Sequence, residues 1–110
     1  MGSENSGRKE SKMKMYVVVR GDMSKSQQAV QAGHALAELL IKKNVGWKNG
    51  TLVYLVVSNE KKLQKLFQSV PTRNKAAFQE PFWDNSTTAF AAYGRDVSDF
   101  LKKLPLLSLS

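Results

Sequence analysis

Lys14-Met15-Tyr16-Val17-Val18-Val19-Arg20-Gly21-Asp22, followed by a helical pattern from about Ser26 to Lys43, decides how this chain folds. Met15 to Val19 is β-branched and aromatic with no polar alternation, as expected of a strand covered on both faces. Gly21 and Asp22 break it. Ser24 and Gln27 then have the S-x-x-Q spacing of a capping box, in which the serine oxygen accepts a backbone N–H and the glutamine reaches back. A strand that turns sharply into a helix is the junction at which α/β proteins place ligands, outside the carboxyl ends of the strands. Arg20, Asp22 and Lys25 stand at that junction.

Outward from this unit, Val30, His34, Ala37 and Ile41 form an apolar stripe at helical spacing, with Gly33, Leu36 and Leu40 beside it. Gly33 costs a helix interior about 1 kcal/mol relative to alanine, so it is expected to allow helix and sheet backbones close together. His34, inside the stripe, reads as a structural histidine. Lys42 and Lys43 suit the helix end. Asn44 to Gly50 is a loop with Trp47 as its packing residue. Leu52 to Val57 reads as a second doubly buried strand. Asn59 caps a short helix that turns Leu63, Leu66 and Phe67 inward and Lys61, Lys62 and Lys65 outward, and Pro71 ends it. Lys75 to Gln79 is a weaker strand closed by Glu80-Pro81, Phe82 to Ser86 is irregular, and Thr87 to Tyr93 is a fourth strand. Asp96 caps a final helix with Val97, Phe100, Leu101 and Leu104 on one side, and Pro105 stops it.

The order β-α-β-α-β-β-α predicts an α/β domain: three layers, α/β/α, around a mixed four-stranded sheet, with a reversal between the last two strands. With 110 residues there is room for one domain. Residues 1–12 are polar and patternless and read as a disordered tail or expression remnant, leaving 13–110 as the domain. There is no cysteine and a single histidine, which excludes disulfides and thiolate metal sites and argues against zinc. No cofactor or metal is expected. No apolar run approaches the roughly 20 residues of a membrane span, and the expectation is a cytoplasmic protein that does not engage membranes. The net charge of +8, from 17 Lys+Arg against 9 Asp+Glu, attracts polyanions.

Four sets of groups meet if the turn after the first strand lies beside the link between strands three and four. They are the cations Arg20 and Lys25, the carboxylates Asp22 and Glu80, the hydroxyls Thr87 and Thr88, and the amides Gln27 and Gln31. A carboxylate beside an ammonium can position a water, and a hydroxyl can orient it. Such a set suits ester hydrolysis. Thr87 and Thr88 are neighbours on a strand, so they are expected on opposite faces. Trp47, Phe82 and Trp83 are candidates for base stacking, Trp83 foremost.

Lys14 to Met23, with Gln31-Ala32-Gly33-His34-Ala35, resembles the amino-terminal signature of type 2 peptidyl-tRNA hydrolases, K-M-x-x-V-V-R-x-D-L followed by A-x-Q-x-x-H-A. Phe78-Gln79-Glu80-Pro81 with Thr87-Thr88-Ala89 resembles that family's strand–loop–strand segment, and Val97 to Leu106 its closing helix. The R-G-D and Q-E-P pieces are closest to the divergent peptidyl-tRNA hydrolase domain-containing branch. The resemblance covers roughly Lys14 to Leu107. It implies a translation-linked, tRNA-binding hydrolase that cleaves the ester between a peptide and the 3′ end of tRNA without a metal. Tied to this are catalytic roles for Lys25, Glu80, Thr88 and Asp22, and RNA contacts from Arg20, Gln27, Gln31, Arg95 and Trp83. Peptidyl-tRNA is the implied partner, with a homodimer as an option. The family's G-K-G-K turn is here Ser24-Lys25-Ser26-Gln27, with Gln27 at the register of the family's second lysine. Glu80 stands where the family has aspartate. The alternative is a tRNA- or RNA-binding module of the same fold with impaired catalysis.

Overall fold

The computed structural model describes residues 13–107. The expected tail, residues 1–12, lies outside the described residues, as do residues 108–110. The elements are β1 (Met15–Arg20), α1 (Lys25–Lys42), β2 (Leu52–Val57), α2 (Glu60–Ser69), β3 (Lys75–Glu80), a single 3-10 turn (Pro81–Trp83), β4 (Ser86–Tyr93) and α3 (Val97–Leu101). The sheet order is β2-β1-β4-β3. β1 pairs parallel with β2 and antiparallel with β4, and β3 pairs antiparallel with β4. The mixed four-stranded α/β sheet and the reversal between its last two strands are therefore as expected.

β1 is central, and its apolar run is buried on both sides. Its odd-numbered residues Met15, Val17 and Val19 pack with Ala32, Ala35 and Leu39 of α1 and with Ala76, Ala89 and Ala91. Its even-numbered residues Tyr16 and Val18 pack with Leu63 of α2 and Val97 and Leu101 of α3. One helix thus covers one face and two cover the other. β2 departs from the doubly buried reading. It is an edge strand with Leu52 exposed, and its outer rim is partly paired by the chain after α3: Val56 N–H donates to Pro105 O (3.0 Å) and Leu107 N–H to Tyr54 O (2.9 Å).

α1 starts and stops where its pattern says. Ser24 Oγ accepts from Gln27 N–H (3.2 Å), while the Gln27 side chain turns to Gln31 instead of completing the box. The helix is rotated, however, to nearly the opposite side from the expected stripe. Gln28, Gln31, Ala32, Ala35 and Leu39 face the sheet, and Val30, Gly33, His34, Ala37, Leu40 and Ile41 are exposed, Ile41 to 79%. The reason is volume. The facing strands offer alanines 76, 89 and 91, and only small helix residues allow that approach. Gly33 is not the close-approach residue, since a Cβ added there would meet nothing within 4 Å; Ala32 and Ala35 fill that role. His34, expected inside the buried stripe, is exposed instead, with its ring stacked on Phe78 of β3 at 4.6 Å between ring centres. In the later half, Asn59 caps α2 through Lys62 N–H (2.9 Å), but Asp96 makes no side-chain cap, and α3 ends at Leu101 with Phe100 exposed.

Candidate functional site

β1, β2 and β3 run in one direction and β4 in the other. The carboxyl ends of the first three, the start of β4, and the openings of α1 and α2 therefore share one end of the sheet. The elbow after β1 and the link between β3 and β4 meet there.

The elbow is tight. Gly21 N–H donates to Val57 O, and a Cβ on Gly21 would lie 2.8 Å from Val56 Cγ1, so glycine is needed for β1 and β2 to end side by side. Gln28, buried, donates from Nε2 to Met23 O (2.8 Å) and Gly21 O (3.4 Å), tying the turn to the first turns of α1.

The α1 face of this end carries a buried polar chain. Thr88 Oγ1 donates to Gln31 Oε1 (2.7 Å), and Gln31 Nε2 donates to Glu80 Oε1 (2.8 Å) and, more weakly, to Gln27 Oε1 (3.3 Å). A carboxylate only accepts, so Glu80 fixes which end of the Gln31 amide faces it, and the amide oxygen is left for the Thr88 hydroxyl. Gln31 and Thr88 are fully buried, and Glu80 is nearly so. Glu80 also accepts from Phe82 N–H through its second oxygen (3.4 Å).

Thr88 reaches Gln31 because of a β-bulge. Phe78 pairs with Ala89 but Gln79 pairs with Thr87, so Thr88 is an extra residue in β4. Ala89 packs on the α1 side, and strict alternation would turn Thr88 toward α2. The bulge brings it back to α1 and sends Thr87 the other way. Thr87 Oγ1 accepts from Gln64 Nε2 of α2 (3.2 Å), and Thr87 N–H donates to Glu60 Oε2 (2.7 Å). The two threonines lie on opposite faces, as expected.

Beyond Thr87 is a second, more exposed cluster. Arg20 donates from Nε and Nη2 to the two oxygens of Asp22, both at 3.0 Å, and from Nη1 to Thr87 O (3.4 Å), with Glu60 Oε1 3.9 Å away. The bond to Thr87 joins the elbow to β4 directly. The hydrogen bond and charge of Arg20 hold the Asp22 carboxyl below its ordinary value, and Asp22 holds the guanidinium above its own.

Of the site residues expected from sequence, Glu80, Gln31, Gln27 and Thr88 are brought together. Gln31 and Thr88 are internal; Gln31 bonds Glu80, and Thr88 is joined to Glu80 only through Gln31. Asp22 and Arg20 belong to the neighbouring ion pair, and that pairing, with Thr87 O, occupies the guanidinium assigned to phosphate. Lys25 is exposed at the first position of α1 and makes no hydrogen bond to Gln31, Glu80 or Thr88. Trp83 follows Glu80 and is partly exposed. Arg95 is separated from the rest: it follows β4, whose end pairs with the amino-terminal ends of β1 and β3, so it stands at the far end of the sheet. The sequence reading passed over Gln28, Glu60 and Gln64. The signal for Gln28 was its place one turn before Gln31 and Ala32; Glu60 and Gln64 show only through the bulge. Among the described residues no three His, Cys, Asp or Glu side chains gather as a metal ion would require.

No family model and no curated protein matches the chain. Among solved structures, the chain is similar to a protein of unknown function from Agrobacterium tumefaciens strain C58, with a TM-score of 0.66 and 14% sequence identity over 87% of this chain and 98% of that one. At that identity the likeness is one of fold: an α/β domain spanning nearly the whole of a second protein.

Proposed function

We propose that this chain is a peptidyl-tRNA hydrolase-like protein of the type 2 kind, acting on the ester that joins a peptide to the 3′ end of tRNA. The observation that supports this most is the buried chain from Thr88 through Gln31 to Glu80, at the end of the sheet where the β1 elbow meets the β3–β4 link. In this reading Glu80 accepts a proton from a water as its oxygen attacks the ester carbonyl carbon. The bond from that carbon to the ribose oxygen then breaks, and the proton returns to the leaving oxygen. Lys25 meets the negative charge that develops on the carbonyl oxygen. Gln31 and Thr88 are positioning residues that hold the Glu80 carboxylate at one angle. The resemblance of Lys14 to Met23 and Gln31 to Ala35 to the family signature, and the net charge of +8, support the same reading.

A second reading keeps the tRNA and drops the chemistry. It is favoured by Gln27, which stands at the register of the family's second lysine and is bonded to Gln31. Peptide release from peptidyl-tRNA, measured for wild type and Glu80→Gln, separates the two. The hydrolase reading expects turnover that falls by two or more orders of magnitude in Glu80→Gln. Equal rates for both proteins remove Glu80 from its role, and tRNA binding without release by wild type selects the binding module.

A further inference from the structure

Phe82 is 92% exposed, more than any other large apolar side chain described. It is not on a slack loop. Pro81 fixes the first position of the 3-10 turn, the Glu80 carboxylate caps Phe82 N–H, Asn85 N–H donates to Glu80 O (2.9 Å), and Asp84 and Asn85 both take left-handed backbone conformations to close the link. A tight turn therefore holds an aromatic ring out in water, where it contributes no burial to folding. The ring stands two residues from Glu80, at the end of the sheet where the proposed chemistry lies.

Part of the charge at that end is also unfavourable for folding alone. Asp22 and Glu60 are taken up by Arg20, whereas Lys25 opens α1 and Lys61 and Lys62 follow Glu60 in the first turn of α2, all three exposed, and cations in a first helical turn oppose the helix dipole. α1 has no acidic residue in its first turn. A polyanion laid across this end would reverse the sign of that interaction.

We propose that Phe82 is a stacking platform for a nucleobase. This end of the sheet then takes the unpaired terminus of a polynucleotide, with one base on the Phe82 ring and the adjoining phosphates over Lys61 and Lys62. The inference rests on the tRNA reading of this site and deepens it. It names the single-stranded end as the recognised part, in place of duplex backbone, and makes Phe82 rather than Trp83 the principal platform. Stacking is indifferent to base identity and disappears with the ring, which gives the test its form.

Binding of a labelled eight-nucleotide single-stranded RNA with a free 3′ end, and of a duplex of equal length, is measured by fluorescence anisotropy at two salt concentrations. The proteins are wild type, Phe82→Ala, Phe82→Leu and Phe82→Trp. Phe82→Ala and Phe82→Leu are expected to bind the single strand on the order of tenfold to a hundredfold more weakly, with the salt slope unchanged, and Phe82→Trp to restore binding. Because the ring is exposed, circular dichroism melts of all four are expected to coincide. Unchanged affinity in Phe82→Ala overturns the platform while leaving the tRNA reading in place, as does a wild-type preference for the duplex. Failure of wild type to bind either RNA or whole tRNA at low salt overturns both.

Discussion

Gln31 decides most at the scale of a single side chain. It is a fully buried amide on a helix face shared with Gln28, Ala32, Ala35 and Leu39, and it is tolerated because each end has a partner. Gln31→Met keeps the volume and removes both ends. It leaves the Thr88 hydroxyl with only a long bond to Phe78 O (3.4 Å) and Glu80 without its closest donor, and is expected to cost about 1–3 kcal/mol in urea denaturation. Thr88→Val is expected to cost about 1 kcal/mol, and the double variant less than the sum of the two, since the bond between them can be broken only once. If the chain turns over peptidyl-tRNA, both single variants lower kcat more than they raise KM, because the substrate meets neither residue. Asp22 gives a pH signature. Its carboxyl is held below the ordinary value of 3.8 by Arg20, so the pairing stabilises the fold above that value and vanishes as pH falls through the lower, folded-state value. Melting temperatures of wild type and Asp22→Asn are expected to differ at neutral pH and to converge below about pH 3.8.

α1 is the element on which sequence and structure diverge, and the divergence has a physical cause. Its limits were legible from Ser24 at one end and Lys42 at the other, but its buried side was not. Apolar periodicity pointed to Val30, His34, Ala37 and Ile41. The sheet instead selects Gln28, Gln31, Ala32, Ala35 and Leu39. Hydropathy cannot rank a glutamine as buried, because its burial depends on a carboxylate 49 positions away and a hydroxyl 57 positions away. Nor can it see that Ala76, Ala89 and Ala91 leave room only for small residues. β1 presented no such difficulty, since Met15 to Val19 is apolar on both faces and has one place to go. β4 shows the same limit as α1. That Thr87 and Thr88 separate follows from strand geometry alone, but which of them meets α1 depends on the bulge. Two substitutions test the rotation of α1. Ile41→Lys is expected to change stability by no more than about 0.5 kcal/mol, as at other exposed positions. Ala35→Leu, forced against the sheet, is expected to cost about 1–3 kcal/mol.

For the molecule as a whole, the strand directions place the charges that matter. Arg95 and the pair Lys61 and Lys62 are similar in composition terms, yet they stand at opposite ends of the sheet. If RNA lies across the carboxyl end of β1 to β3, Lys61→Glu with Lys62→Glu lowers the steepness of log affinity against log salt by about 0.7 for each single-strand phosphate that these lysines neutralise. Arg95→Glu is expected to leave the slope nearly unchanged. Filter binding of tRNA across a salt series checks both. The topology has a further effect in the last described residues. Pro105 and Leu107 supply the bonds along the outer rim of β2, so that strand is finished by residues made about fifty positions after it. The sheet can therefore close around β1 before one flank of it is sealed, because β1, β2, β4 and β3 pair without the segment after α3. Whenever that segment lifts away, β2 offers unpaired backbone groups to any passing chain, so the hold of Pro105 and Leu107 is also a guard against edge-to-edge association.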